Sequence, residues 1–274
     1  MAVKELVRVR IEKCTLKSSS RSTKDTVRLT VTLPVYKDTS FLEKACETIE
    51  EMTPTITTDF VLQIAEDGSD SSSVVDALKG RYRNILYTHR DQRLGRGKAL
   101  REAWGKVEGD VYVYLDVDLA TDMAKFDAYR NLLNYQETYD LVTGSRYVPG
   151  SETNRPFLRG LSSIVYNSLV RLVFRTGVHD HQCGFKSFSR RLVQALSTEA
   201  KSASWFWDTE VIVIAKRLGF RIKEIPIHWT ERKGERTPIK RLLKDIWVHG
   251  SGMLGLVWRV YFSKRHMDLK SHIV

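Results

Sequence analysis

The sequence has little cysteine. Cys14, Cys46 and Cys183 are the only three in 274 residues, and none stands at a metal-ligand spacing from another. That argues against a disulfide framework and a thiolate zinc site, and for a reducing, cytoplasmic setting. Long apolar runs are missing as well. No stretch reaches the ~18 consecutive apolar residues of a membrane span, and the N-terminus lacks the apolar segment of a signal peptide. The chain is therefore expected to touch a membrane at most, not to cross one. There is no internal repeat or low-complexity tract. The Gly-x-x-x-x-Gly-Lys-Ser/Thr spacing of a P-loop is absent, and the Gly95-Arg-Gly-Lys-Ala99 loop lacks the third glycine of a dinucleotide fingerprint. No nucleic-acid-binding motif is present, so no nucleic-acid partner is expected despite the charge.

What the chain does have is apolar content and an uneven positive charge. It is 42% hydrophobic and 28% charged, which suits one large α/β domain with short appendages. The net charge is +11. Residues 1–26 carry seven Lys/Arg against three acids, and residues 231–274 carry ten against four. Residues 146–175 hold five arginines and one acid. Patches of this kind attract nucleic acid, anionic lipid surfaces or phosphorylated substrates.

Apolar runs alternate with amphipathic stretches along the chain. The pattern predicts strands over Val27–Leu33, Phe60–Ala65, Asn84–Thr88 and within Val111–Thr121, with helices between them. Later strands are expected over Asp140–Gly144 and Arg221–Trp229, and helices over 158–176, Glu210–Leu218 and from Pro238 onward. Val7, Val9 and Ile11 alternate with basic residues and suggest a short strand ahead of a Ser18–Thr23 linker. The organisation that follows is a basic extension (1–26), an α/β domain (27–237) and a C-terminal amphipathic helical segment (238–274). Alternating β and α elements imply a doubly wound, mostly parallel sheet flanked by helices, whose ligand crevice lies beyond the carboxyl ends of the strands. Those ends carry Pro34-Val-Tyr36, Glu66-Asp67, His89-Arg90 and Asp116-Val-Asp118.

The last of these tails is the most informative. Val111-Tyr-Val-Tyr-Leu-Asp-Val-Asp-Leu-Ala-Thr121 reads as a buried strand that ends in two carboxylates. On an extended chain they would share a face and repel each other, and a hard cation such as Mg²⁺ or Mn²⁺ would relieve that repulsion. The bland alternative is an acidic turn. The Gly95–Ala99 loop opens a helix and, read in isolation, is more readily a tight turn than a phosphate cradle. Asp180, His181 and Cys183 lack a clear nucleophilic constellation and read as structural.

Seven short motifs in one order carry a resemblance: Pro34-Val-Tyr36, Glu66-Asp67-Gly68-Ser69-Asp70, Leu94-Gly-Arg-Gly-Lys-Ala-Leu100, Asp116-Val-Asp118-Leu, Gly144-Ser-Arg-Tyr147, Gln182-Cys-Gly-Phe-Lys186 and Trp207-Asp-Thr-Glu210. Over roughly residues 28–250 the chain resembles the inverting family-2 glycosyltransferases of the GT-A fold, within them the dolichyl-phosphate (polyprenyl-phosphate) hexose synthases. The resemblance implies a Rossmann-like GT-A domain that moves a hexose from a nucleotide-diphosphate sugar to a polyprenyl phosphate at a membrane surface, peripheral on its cytoplasmic face. It implies a donor site of Pro34, Tyr36, Asp38, Asp67, Gly95, Lys98 and Asp116. It places Mg²⁺ or Mn²⁺ on Asp118 with Asp116, and the acceptor phosphate on Arg146, Arg159 and Ser163. Asp208 and Glu210 would sit near the sugar, with Asp116, Asp118, Asp208 and Arg146 as the catalytic set.

The departures are informative too. Lys37-Asp38 replaces the common Asn-Glu, which weakens the ribose contact. Ala120 stands where some members carry a metal-binding Gln. Glu231 stands where mannosyl members carry an arginine, which favours a UDP-sugar over GDP-mannose. A lipid monophosphate already carries about −1.5 to −2 charges at neutral pH, so it needs positioning more than a general base. A soluble or protein-linked acceptor is the rival. A helix at 158–176 buried on all faces would favour that rival over a lipid.

Overall fold

The computed structural model describes residues 27–230 and 239–262. The expectations for Val7, Val9, Ile11, the Ser18–Thr23 linker, the boundary at 237 and Glu231 lie outside the described residues.

Four apolar runs form a parallel block: β1 (Leu29–Val35), β2 (Phe60–Glu66), β3 (Ile85–Thr88) and β4 (Val111–Leu115). With β5 (Leu141–Ser145), β7 (Phe185–Ser189) and β8 (Ile222–Pro226) they make a seven-stranded sheet in the order β3-β2-β1-β4-β7-β5-β8. The sheet is mostly parallel, as the alternation requires. β7 alone runs against both its neighbours, β4 and β5. Its reversal brings the residues that precede it, Asp180–Gly184, to the edge where the parallel strands end.

Proline accounts for two differences from the sequence reading. Pro34 lies inside β1 rather than ending it: pairing with β4 stops at Thr32, so the missing N–H costs no ladder bond on that side. The run 221–229 is two strands. β8 ends at Pro226, which cannot donate onward, and β9 (His228–Thr230) pairs in parallel with β6 (Glu152–Asn154) in a small separate sheet.

Helices cover both faces. α1 (Thr39–Met52) and α2 (Ser72–Arg81) bury Leu42, Ala45, Ile49, Val75 and Leu78 in the core of one side, against Val31, Leu33, Leu62 and Ile64. α3 (Arg96–Trp104), α6 (Arg190–Glu199) and α7 (Trp207–Arg217) pack Leu100, Trp104, Leu192, Trp207 and Val211 on Tyr112, Tyr114 and Phe188. α4 (Ala128–Asn134) returns the chain to β5. Two buried polar contacts tie the sheet to its neighbouring helix. Trp104 Nε1 donates to Thr32 Oγ1 at 3.0 Å and Gln63 Nε2 donates to the Ala103 carbonyl at 2.7 Å, which fixes α3 on β1 and β2.

A third, smaller core joins α5 (Phe157–Phe174) to α7 and to α8 (Ile239–Val257), through Val170, Phe174, Phe206, Val213 and Leu256. α8 runs unbroken through its glycines and ends in a π-helical turn, Trp258–Phe262. Gly252 is used for close approach: a Cβ there would meet the Phe206 ring at 2.5 Å. No helix among the described residues is long and apolar enough to cross a membrane.

Candidate active site

The parallel block places the tails of β1, β2, β3 and β4 along one edge of the sheet. At the β1–β2 end, Tyr36 is half-buried, and the Arg93 guanidinium lies over its ring at 3.6 Å. Asp38 is exposed at the start of α1 and caps no amide with its side chain. Asp67 is buried. Its carboxylate accepts the Leu94 N–H at 2.7 Å and the Gly95 N–H at 2.6 Å, so it pins the loop that leads into α3. Gly95 has φ +101°, and a Cβ there would meet the Ala203 carbonyl oxygen at 2.4 Å, so only glycine fits this pinned turn. Glu66 serves the neighbouring turn. Burial alone would raise its carboxyl, but hydrogen bonds from Tyr87, Ser69 and Ser71 hold it below the usual range. Glu66, Asp70 and His89 bring ligand atoms within 4.8 Å of one another. The Glu66 oxygens already accept those hydrogen bonds, however, so this cluster reads as a braced turn.

The electrostatic centre lies at the end of β4. The strand stops at Leu115, so Asp116 and Asp118 sit in the turn beyond it and strand alternation does not set their directions. The turn instead closes with the Leu119 N–H on the Asp116 carbonyl at 2.9 Å, with Leu119 at φ +47°. Asp116 faces inward. Its Oδ1 lies 2.8 Å from Arg96 Nη2, and Arg96 Nη1 lies 3.2 Å from Asp208 Oδ2. The Tyr114 hydroxyl is 3.4 Å from both carboxylates. Lys186 Nζ donates to Asp208 Oδ1 at 3.0 Å. Gly184 makes room for this arrangement: a Cβ on it would fall 1.9 Å from Asp116 Oδ2. Burial raises the Asp116 carboxyl, with Arg96 pulling the other way, and pushes the Tyr114 phenol well above its ordinary value. Burial also opposes the Arg96 charge, but Asp116, Tyr114 and Asp208 outweigh it and its pKa rises. Asp118 is partly exposed, and its Oδ1 accepts the Ala120 N–H at 3.1 Å.

Asp208 thus joins Asp116, as expected of residues serving one site. Glu210, on the same helical turn, does not. Its carboxylate accepts the Lys201 and Ser202 amides and pairs with Arg259 of the π-helical turn. Lys98 is largely exposed, 4.0 Å from Glu102. Arg146 is committed elsewhere: Nε and Nη2 meet the two oxygens of Asp180 at 2.6 and 2.8 Å, both residues buried. Burial would raise the Asp180 carboxyl, but Arg146 holds it down at about 2. Arg146 also lies over the Trp229 ring at 5.4 Å, beside Arg155 at 5.3 Å. Ser163 is buried and accepts from Arg155 Nη1 at 2.8 Å, and Arg159 lies on the same helix, partly buried. β9 joins this group to the Asp116–Thr121 turn: Trp229 bridges Thr121, and the Thr230 N–H donates to the Ala120 carbonyl at 3.0 Å.

His181 and Cys183 are buried and quiet. Burial holds the imidazole down at about 4, bonded to Asn167 and Thr176, and pushes the thiol up to about 12. Sequence reasoning missed Arg96 and Lys186, although both lie inside motifs it singled out. The signal was available for Lys186: a lysine between Phe185 and Phe188 in a central strand needs a carboxylate partner.

Comparison with known proteins agrees with this geometry. Residues 30–197 match the family described as Glycosyl transferase family 2. Glycosyltransferase AglD of Haloferax volcanii is 41% identical over 240 residues, covering 85% of this chain but only 38% of that protein. Dolichyl-phosphate beta-glucosyltransferase ALG5A of Trichomonas vaginalis is 30% identical over 230 residues, covering 80% of this chain and 70% of the relative. Among solved structures, glucosyl-3-phosphoglycerate synthase from Mycobacterium tuberculosis, in complex with Mn²⁺, UDP and glucosyl-3-phosphoglycerate, superimposes with a TM-score of 0.63 at 17% identity over 84% of this chain and 80% of that one. Mannosyltransferase PcManGT from Pyrobaculum calidifontis, with GDP-Man and Mn²⁺, gives 0.57 at 16% identity over 93% and 72%. The motif order, the mostly parallel sheet with its reversed strand and the family match over most of the catalytic region agree, and the chain belongs to glycosyl transferase family 2, as a glycosyltransferase of the GT-A fold.

Proposed function

We propose that the chain transfers a hexose from a nucleotide-diphosphate sugar, a UDP-sugar in preference to GDP-mannose, to a polyprenyl or dolichyl phosphate, with Mg²⁺ or Mn²⁺ and with inversion at the anomeric carbon. One observation carries the reading: β9 seats Trp229 between the Asp116–Thr121 turn and the arginines of the 146–159 region. A donor bound at the turn would thus lie beside cations suited to an acceptor phosphate. The relatives named for dolichyl-phosphate glucosyl transfer supply the substrate class.

α5 speaks for a lipid acceptor. It is not buried on all faces. Leu161, Ile164, Val165, Leu169 and Leu172 form an exposed stripe at helical spacing, opposite buried Val170 and Phe174. Trp247, Leu254, Trp258 and Phe262 continue the apolar surface on α8 and its terminal turn. Surfaces of this size on soluble chains mark interaction sites, and beside a basic patch they suit an anionic membrane surface.

The metal fits the residues present. Asp116 and Asp118 are hard oxygen donors on one turn, and Gly184 leaves the space in which the Asp116 carboxylate sits. Asp118 with Asp116 would hold the cation, which when bound offsets charge on the departing nucleotide diphosphate. The rest of the chemistry belongs to the chain. Tyr36, Pro34 and Asp38 would line the nucleoside end, with Asp67 holding the Gly95 loop around it. Gly95 and Lys98 would approach the phosphates. Asp208, fully buried and bonded to Arg96 and Lys186, would orient sugar hydroxyls. The acceptor phosphate is its own nucleophile, steered by the basic group around Trp229 to the face opposite the leaving group. Arg146, held by Asp180, would contribute as a fixed scaffold for Arg159 and Ser163. The test is turnover with a panel of UDP- and GDP-sugars, Mg²⁺ or Mn²⁺ and a short polyprenyl phosphate. Transfer from a UDP-hexose is expected, and no transfer from any donor would overturn the reading.

A further inference from the structure

We propose that Arg96 is a built-in counter-ion that occupies the metal-binding carboxylate until a nucleoside diphosphate arrives, so that metal capture is conditional on the donor. This rests on the reading of Asp116 and Asp118 as the cation site. Four charged groups meet at the end of β4: Arg96 and Lys186 against Asp116 and Asp208. The cluster is therefore balanced on its own. A divalent cation alone would add two positive charges against a carboxylate that already has a guanidinium 2.8 Å away. Like charges at that range in a partly desolvated site repel strongly. A cation that arrives with a diphosphate brings its own compensation, and the diphosphate offers Arg96 an acceptor that guanidinium groups bind with two parallel hydrogen bonds.

The two cations are held differently. Lys186 is fully buried in β7 and bonds Asp208 and the Cys183 carbonyl, so it is fixed. Arg96 is the first residue of α3, directly after the Gly95 turn, and its guanidinium stacks on half-exposed Trp205 at 3.6 Å. A flat ring lets a guanidinium slide without losing its contact. Arg96 can thus leave Asp116 for a diphosphate along Trp205 while Lys186 keeps Asp208 neutralised.

The experiment is a Mn²⁺ titration, followed by the electron paramagnetic resonance of free Mn²⁺, with and without UDP, on the wild type and on Arg96→Met. In the wild type, UDP is expected to tighten Mn²⁺ binding by a factor in the usual range for coupled sites, about 5–150-fold. Arg96→Met is expected to bind Mn²⁺ alone at least tenfold tighter than the wild type alone, with the gain from UDP reduced accordingly. If Arg96→Met fails to fold, Arg96→Gln decides. It keeps hydrogen-bond donors for Tyr114 and Asp208 but removes the charge, and should tighten Mn²⁺ binding without UDP in the same direction. Unchanged nucleotide-free Mn²⁺ affinity in the folded variant overturns the counter-ion role alone. No Mn²⁺ binding by the wild type even with UDP overturns the underlying assignment of the site.

Discussion

Replacing Asp180 by asparagine tests how much of the fold hangs on the Arg146 pair. The pair is buried, doubly hydrogen-bonded and reinforced by the Arg146 N–H on Asp180 Oδ2 at 3.1 Å. Asparagine keeps the shape and removes the charge, which leaves the Arg146 guanidinium buried without its compensating carboxylate. Breaking a buried pair in this way costs about 3–5 kcal/mol. The pH dependence is a second, independent measure. The folded-state Asp180 carboxyl lies at about 2 against an ordinary 3.8. At about 1.4 kcal/mol per unit that corresponds to roughly 2 kcal/mol of stability. Because the folded value is depressed, this contribution is fully present above about pH 4 and lost as pH falls toward 2. Thermal and urea melts of the wild type and Asp180→Asn, at neutral pH and down to the acid limit of folding, measure both quantities. The variant should melt about 10 °C lower at pH 7, taking 2–4 °C per kcal/mol for a chain of this size, and lose that part of its acid sensitivity. A variant within about 1 kcal/mol of the wild type at pH 7 would refute the reasoning, because such a pair would be dispensable.

Three further outcomes are expected. Gly184→Ala places a Cβ 1.9 Å from Asp116 Oδ2, so it should abolish turnover in steady-state assays while circular dichroism stays native; retained turnover would mean that Asp116 can move without consequence. Leu172→Glu on the exposed α5 stripe should change stability by less than about 0.5 kcal/mol but weaken co-sedimentation with anionic vesicles; unaltered sedimentation would remove α5 from the membrane-facing surface. Arg259→Met leaves Glu210 buried without its cation and should lower the urea midpoint by an amount equivalent to about 1–3 kcal/mol; a midpoint equal to that of the wild type would show the two amides at Lys201 and Ser202 to suffice.

Sequence patterning anticipates the parallel block because a strand buried on both faces is written as a continuous apolar run, as in Val111–Leu115 and Phe60–Glu66. The tails of those runs are local features too, so Asp67 and Asp116 could be singled out at once. What they touch is not local. Asp208 reaches Arg96 across 112 positions and Lys186 across 22, and Arg146 finds Asp180 across 34. The meetings of Lys186 and Asp180 depend on β7 running antiparallel between β4 and β5, because that reversal carries Asp180, Gly184 and Lys186 to the edge where the parallel strands end. A five-residue strand has the same apolar pattern in either direction, so its polarity cannot be read from composition or period. Arg146 shows the consequence. As a lone arginine in Gly144-Ser-Arg-Tyr147 it reads as a phosphate ligand, and only the reversed strand supplies the carboxylate that holds it.

The first turn of α7 links the two halves of the molecule. Asp208 and Glu210 are two residues apart on a helix, so their side chains diverge by about 200° at 100° per residue. That divergence is why one turns to Arg96 and Lys186 at the end of β4, while the other turns to Arg259, next in the chain to the exposed Trp258. Glu210 also holds the Lys201 and Ser202 amides, and the same loop supplies the Ala203 carbonyl that packs on Gly95 and accepts from Gly97 at 2.9 Å. The apolar C-terminal turn, the 201–205 loop and the Arg96 loop are therefore consecutive contacts around one buried carboxylate. A substitution at Glu210 would disturb the Arg96 loop without touching any residue of it, and on the proposed function its effect on turnover would be that of a positioning residue.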